Sequence, residues 1–205
     1  MYRYISHIII IGTLLFCTAC NDNDTPPESD TGPYNAGDFI SANHQAMKFD
    51  FCYPACTNNP DNCDDLTTDA ADTTFSLADH TGKVFMIEMS ATWWAPCFSS
   101  IPEGDDIYEH WANNDSVKII HFLDDIGEPY TCTLWGHQGE LFIPPIVDDG
   151  ELYTVRDWFP IDSDSDSQYP ITIFIDHNMQ VVSIQFVSLS KDDANYFIEQ
   201  MLDAM

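Results

Sequence analysis

The sequence predicts an α/β domain with a mixed central sheet flanked by helices, preceded by a cysteine-containing extension. Three observations lead there. Four short, mostly apolar and β-branched runs recur after residue 73: "VFMIEMS" (84–90), "VKIIHFL" (117–123), "ITIFI" (171–175) and "VVSIQFV" (181–187). Runs of this kind read as strands covered on both faces. Helical stretches separate and follow them, and the last two runs are joined by "DHNMQ", which closes a hairpin. Strand, helix, strand, helix, then a hairpin and a final helix implies a mixed sheet.

Taken in order, the chain opens with Arg3 and an apolar run from Ile5 to Phe16 containing "IIIIGTLLF". A short positive start and a core briefer than the ~20 residues of a spanning helix read as an export signal over residues 1–19. The run ends at "CTAC", where Thr18 and Ala19 precede Cys20 as in a bacterial lipoprotein signal, so that Cys20 becomes a lipidated first residue and anchors the chain to a membrane. Cys17 stands where such signals usually carry Leu, and a plain secretory signal is the alternative. Residues 20–37, polar and proline-containing, cannot bury apolar area and are expected to form a flexible tether. Residues 38–72 form the extension and residues 73–205 the α/β domain.

Composition narrows the partners. The 205 residues include 34 acidic side chains against 6 Lys and Arg, a formal charge of -28. That excess argues against nucleic acid and anionic lipid head groups as ligands. It suits solubility at high ionic strength, where salt screens the self-repulsion.

Seven cysteines less Cys17 and Cys20 leave Cys52, Cys56, Cys63, Cys97 and Cys132. Five thiols form at most two bridges. "CYPACTNNPDNC", with His44 nearby, has the density of a metal site, yet in an exported chain a disulfide-pinned loop is the better default. Cys52, Cys56, Cys63 and Cys132 are therefore the structural disulfide candidates, and no metal ligands or cofactor are assigned. "DSDSDS" (162–167) starts like a calcium loop but lacks the glycine and distal glutamate, and reads as a solvated loop.

Helices are expected from near Pro96 toward Trp111, over Thr131–Glu140, over Glu151–Trp158 and after Ser190. Ser190 is a natural N-cap, and Asp192 and Asp193 sit where the helix dipole favours negative charge.

One stretch carries more than propensity. "FSLADHTGKVFMIEMSATWWAPCFSSIP" resembles the thioredoxin superfamily, in particular the membrane-anchored TlpA and ResA kind, whose active-site stretch reads W-C-x-P-C followed five residues later by Pro. Trp93, Pro96, Cys97 and Pro102 occupy the matching places, and Trp94 stands at that of the first cysteine. Further on, "SQYPITIFIDHNMQVVS" resembles the family's cis-proline loop, strand and acidic hairpin, with Pro170 at the cis position. The likeness covers residues 73–205.

The resemblance implies a thiol-disulfide oxidoreductase in which the first cysteine, at a helix N-terminus, attacks and the second, more buried, resolves the mixed disulfide. This chain keeps the resolver, Cys97, and lacks the nucleophile. Trp93, Trp94 and Tyr169 can form an aromatic patch beside Pro170, either closing a vacated surface or gripping an extended ligand. Cys97 reads as an inert buried thiol, with a bridge to Cys132 and a lone peroxide-sensitive thiol as alternatives. Glu88 matches the buried acid that takes and returns the resolving cysteine's proton, and His121 falls near the place of a basic partner. A satisfied polar pair in the core is the competing reading.

Two functions remain open: a non-catalytic envelope lipoprotein binding an extended polypeptide beside Pro170, and a thiol redox protein, disulfide reductase-like or peroxide-reactive, using Cys97.

Overall fold

The computed structural model describes residues 32–53, 74–124, 129–139, 143–150, 154–161 and 169–205. Cys20, Cys56, Cys63, the signal, most of the tether and residues 162–167 lie outside them. The elements are α1 (Ala42–Gln45), β1 (Phe49–Tyr53), β2 (Thr74–Phe75), β3 (Val84–Ala91), α2 (Ala95–Trp111), β4 (Val117–Asp124), α3 (Cys132–Gly136), β5 (Ile146–Gly150), β6 (Ile171–Ile175), β7 (Val181–Gln185) and α4 (Lys191–Asp203). Single 3-10 turns lie at Ala78–His80 and Arg156–Trp158.

Alternation along β3 builds both layers. Val84 and Met86 point to one face, where Ile107 and Trp111 of α2 and Ala194, Ile198 and Met201 of α4 cover them. Phe85, Ile87 and Met89 point to the other, into a cluster with Phe49, Phe75, Phe122 and Trp158. A strand apolar on both faces belongs in the middle of a sheet, and the order is β2-β1-β5-β4-β3-β6-β7. Pairs β3–β4 and β4–β5 are parallel, whereas β1–β2, β1–β5, β3–β6 and β6–β7 are antiparallel. The sheet is mixed, as the runs implied.

Caps place the helices. The Ser190 hydroxyl accepts from the Asp193 N–H and opens α4, and the Thr131 hydroxyl accepts from the Leu134 N–H and opens α3. The expected helix Thr131–Glu140 is only five residues long. Two glycines account for its end: a Cβ on Gly136 would lie 2.6 Å from the Tyr53 ring, and one on Gly139 2.6 Å from an Asp105 oxygen. Close approach is what they provide, at the cost of helix propensity. Of the helix expected over Glu151–Trp158, residues 154–158 are described, and they hold a turn followed by a 3-10 turn at Arg156–Trp158.

Three strands went unforeseen: β1, β5 and the two-residue β2. β5 reads "IVDDG", where acids conceal the pattern although Asp149 is buried. β1 comes from the segment expected as an extension, and it pairs with both β2 and β5. The Cys52–Cys132 disulfide ties it to the start of α3. Residues 34–40 are likewise stitched to the hairpin, with Gly37 N–H donating to the Val181 carbonyl and Ile40 N–H to that of Met179.

Among the described residues no helix is long and apolar enough to cross a membrane, and no three His, Cys, Asp or Glu side chains gather to hold a metal ion.

Candidate functional site

The C-terminal end of β3 leads through Thr92 and Trp93 into α2, whose N-cap is Trp94. The Cys97 N–H donates to the Trp94 carbonyl at 3.0 Å, closing the first turn. An N-cap residue lies where unpaired N–H groups and the positive end of the helix dipole meet. The side chain there is an indole, and it makes no cap bond to the helix. It turns away instead, and Nε1 donates to the Tyr169 carbonyl at 2.8 Å.

That carbonyl precedes the cis Tyr169–Pro170 peptide. Trp93, Trp94, Tyr169 and Pro170 are thus brought together from two separate stretches. Trp93 packs edge-on against Trp94 and Tyr169, with centroids 5.7 and 6.4 Å apart, and is 41% exposed. Tyr169, expected in the surface patch, is buried. Its hydroxyl donates to Asp124, and Arg156 lies over its ring, 5.4 Å from the centroid.

Cys97 is fully buried and is a free thiol. Burial pushes it up to about 12; the Ala91 backbone and the nearby Ser90 hydroxyl offset part of that rise, and the charges of Glu88 and Asp124 add to it. At neutral pH the sulfur is therefore protonated. Cys132 is engaged with Cys52, so the sequence alternative of a Cys97–Cys132 bridge is not realised.

Glu88 and His121 stand directly opposite each other on β3 and β4, which puts both on the α2 face. Burial raises the Glu88 carboxyl to about 7, a Ser100 hydrogen bond opposes this, and Asp105 adds to it. The Ser100 hydroxyl lies 2.8 Å from the Cys97 carbonyl and 3.4 Å from Glu88 Oε1. Burial lowers His121 to about 4, and its Nε2 has no hydrogen-bond partner. Both side chains line a cavity of about 20 Å³ with Gly104, Asp105 and Trp135. That volume admits about one water.

Sequence reasoning missed two features. The first is a pair of buried acids, Asp124 and Asp149, under Tyr169. Burial first, and then the Asp124 charge, raises Asp149 to about 8, while the Val155 N–H donates to its carboxyl at 2.9 and 3.1 Å. The acid closing the apolar run "VKIIHFLD" was the available signal. The second is a further aromatic cluster on α2 and α3. Phe98 stacks on Tyr130 at 5.4 Å and meets Trp135 edge-on, while Leu134 is 49% exposed beside them.

No family model matches the chain, and no curated protein sequence does. Solved structures do. A thioredoxin-family thiol:disulfide interchange protein of Chlorobium tepidum TLS superposes with a TM-score of 0.52 at 19% identity, covering 77% of this chain and 98% of its own. The exposed lipoprotein thioredoxin of Streptococcus pneumoniae gives 0.52 at 17% identity, covering 73% and 99%. A secreted thiol-disulfide isomerase of Corynebacterium glutamicum gives 0.55 at 14% identity, covering 82% and 99%. The fold is thioredoxin-like, and the site described above lies at the start of that fold's first long helix.

Proposed function

We propose that the protein is an exported, lipid-anchored thioredoxin-like protein that binds an extended polypeptide of the cell envelope and does not carry out dithiol exchange. The observation that carries this reading is the indole of Trp94 at the N-cap of α2, bonded to the Tyr169 carbonyl. Exchange needs a thiolate to attack and a second thiol to resolve. The only free thiol among the described residues is Cys97, buried and held protonated. What the site does present is apolar: Trp93, Phe98 and Leu134 stand 37–49% exposed around the helix start. Aromatic anchors on a rigid element are the usual hot spots of a binding surface. Export and anchoring at Cys20 rest on the signal-like N-terminus, and a secreted protein and an exposed lipoprotein are among the structures similar in fold.

The test is binding of a permanently unfolded, thiol-blocked polypeptide by the exported protein, run beside a dithiol-dependent insulin reduction assay. Expected are saturable binding, weakened about tenfold in Trp93→Ala/Phe98→Ser, and no insulin reduction. Turnover by the wild type, or rapid alkylation of folded Cys97, would establish the redox reading instead.

A further inference from the structure

The parallel ladder between β4 and β5 begins only at His121, which pairs with Ile146. From Val117 to Ile120, β4 is paired with β3 alone among the described strands. His121 donates its N–H to the Pro145 carbonyl. The two-residue period of a strand therefore turns the N–H and carbonyl of Ile119 toward the same side, where β5 has not begun. A recess of about 260 Å³ occupies that space. Phe51 and His80 wall it from one face of the sheet and Tyr108 and Trp111 from the other, with Lys118 and Ile119 between them. Pockets for drug-sized ligands run from about 300 Å³ upward, so this one suits a single ring with a short arm. β4 rises about 3.3 Å per residue, which puts Lys118 roughly 20 Å from the Asp124 end beside Trp94. The recess is separate from the candidate site.

Its charge is unusual for this chain. Lys118 is one of only six Lys and Arg against 34 acidic residues. The single ion pair among the described residues, Lys48–Asp79, does not involve it. Burial lowers its pKa, repulsion from Lys83 lowers it further, and Asp115 opposes both. An ammonium that is partly stripped of water, without an ion-paired carboxylate among the described residues and walled by aromatic rings, leaves a place for one anionic oxygen group on an aromatic body.

We propose that the recess at the edge of β4 that no described strand covers binds a small aromatic monocarboxylate, with the carboxylate on Lys118 Nζ and the Ile119 N–H, and the ring between Phe51, Tyr108 and Trp111. The neutral and the cationic analogues leave the ammonium without its counter-charge. Specificity for the acid over its uncharged isostere is therefore the defining property of the site.

Titration of the full exported chain with phenylacetate, followed by amide and indole NMR, tests it. The indole resonance of Trp111 and the amide of Ile119 shift in a saturable way, and those of Trp93 and Trp94 do not. 2-Phenylethanol binds at least about tenfold more weakly, and Lys118→Gln removes that preference, as loss of one charge-assisted hydrogen bond requires. Ala112→Trp, which fills the recess from its rim, abolishes the shifts; thermal melting checks that both variants fold. Equal affinity for acid and alcohol, or an unchanged preference in Lys118→Gln, overturns the proposal. So do shifts confined to Trp93 and Trp94. The absence of any shift at millimolar phenylacetate, as when another part of the chain fills the recess, overturns it equally.

Discussion

Replacing Glu88 by Gln should flatten the fall of stability with pH and leave the variant more stable than the wild type in mild alkali. In the folded protein burial raises the carboxyl from 4.5 to about 7. Between those values the folded state holds a proton that the unfolded chain has released. Stability then declines as pH rises, because the folded form is the one that binds more protons. The contribution is full below about 4.5 and lost by about 7, and a displacement of this size corresponds to at most about 3 kcal/mol. The introduced amide would be neutral throughout and fits the same space. Its amide oxygen can still accept from Ser100, in a neutral bond weaker by about 1 kcal/mol than one to a carboxylate, and the change relieves the repulsion from Asp105. Above pH 7 the variant should therefore gain about 2 kcal/mol, or roughly 4–8 °C in melting temperature for a chain of this size. Urea denaturation of both proteins at a series of pH values is the assay. Asp149, raised to about 8, slopes in the same direction, and His121, lowered to about 4, loses stability as pH falls from 6.5. Both contribute alike to the two proteins, so the difference curve reports Glu88. Parallel profiles across the whole range would refute the reasoning.

Two other changes probe the site and its frame. Trp94→Cys creates a C-A-P-C stretch at the N-cap of α2, with Cys97 three residues on, and insulin reduction should appear where the wild type shows none. Losing the indole's bond to Tyr169 and its packing costs up to about 3 kcal/mol, so circular dichroism must first show a folded variant; a folded but inactive one means that the site has diverged beyond one residue. Cys52→Ser/Cys132→Ser opens a loop with a sequence separation of 80. By loop entropy this lowers stability by about 4 kcal/mol, and an unchanged urea midpoint would count against the bridge.

What was legible in the sequence was local. The runs at 84–90, 117–123, 171–175 and 181–187 announce strands because covered strands need β-branched and apolar side chains on both faces. Trp93, Pro96, Cys97 and Pro102 pointed to the candidate site by their match to a known motif, Trp94 by its departure from it, and Pro170 by a second stretch further on. Long-range features stayed hidden. Asp124 and Asp149 meet only because β4 and β5 are neighbours in the sheet, and nothing near either residue foretells the other. β1 was obscured by the 20 residues that separate it from β2, the strand it pairs with, and by its cysteine, which invited a loop reading. Gly136 and Gly139 looked like interruptions of a helix, whereas they are the points at which Tyr53 and Asp105 come close.

The bridge between Cys52 and Cys132 gives the molecule a covalent topology that its linear order does not suggest. Residues 52 through 132 form a closed ring, and β3, α2 and β4 all lie within it, together with Trp94, Glu88, Cys97 and His121. One peptide cut anywhere in that ring, including among residues 54–73, leaves both halves on a single covalent molecule. The aromatic surface at the start of α2 is thereby kept attached to the N-terminal part of the chain, and to any anchor it carries, through a nick that would separate an unbridged protein into two pieces.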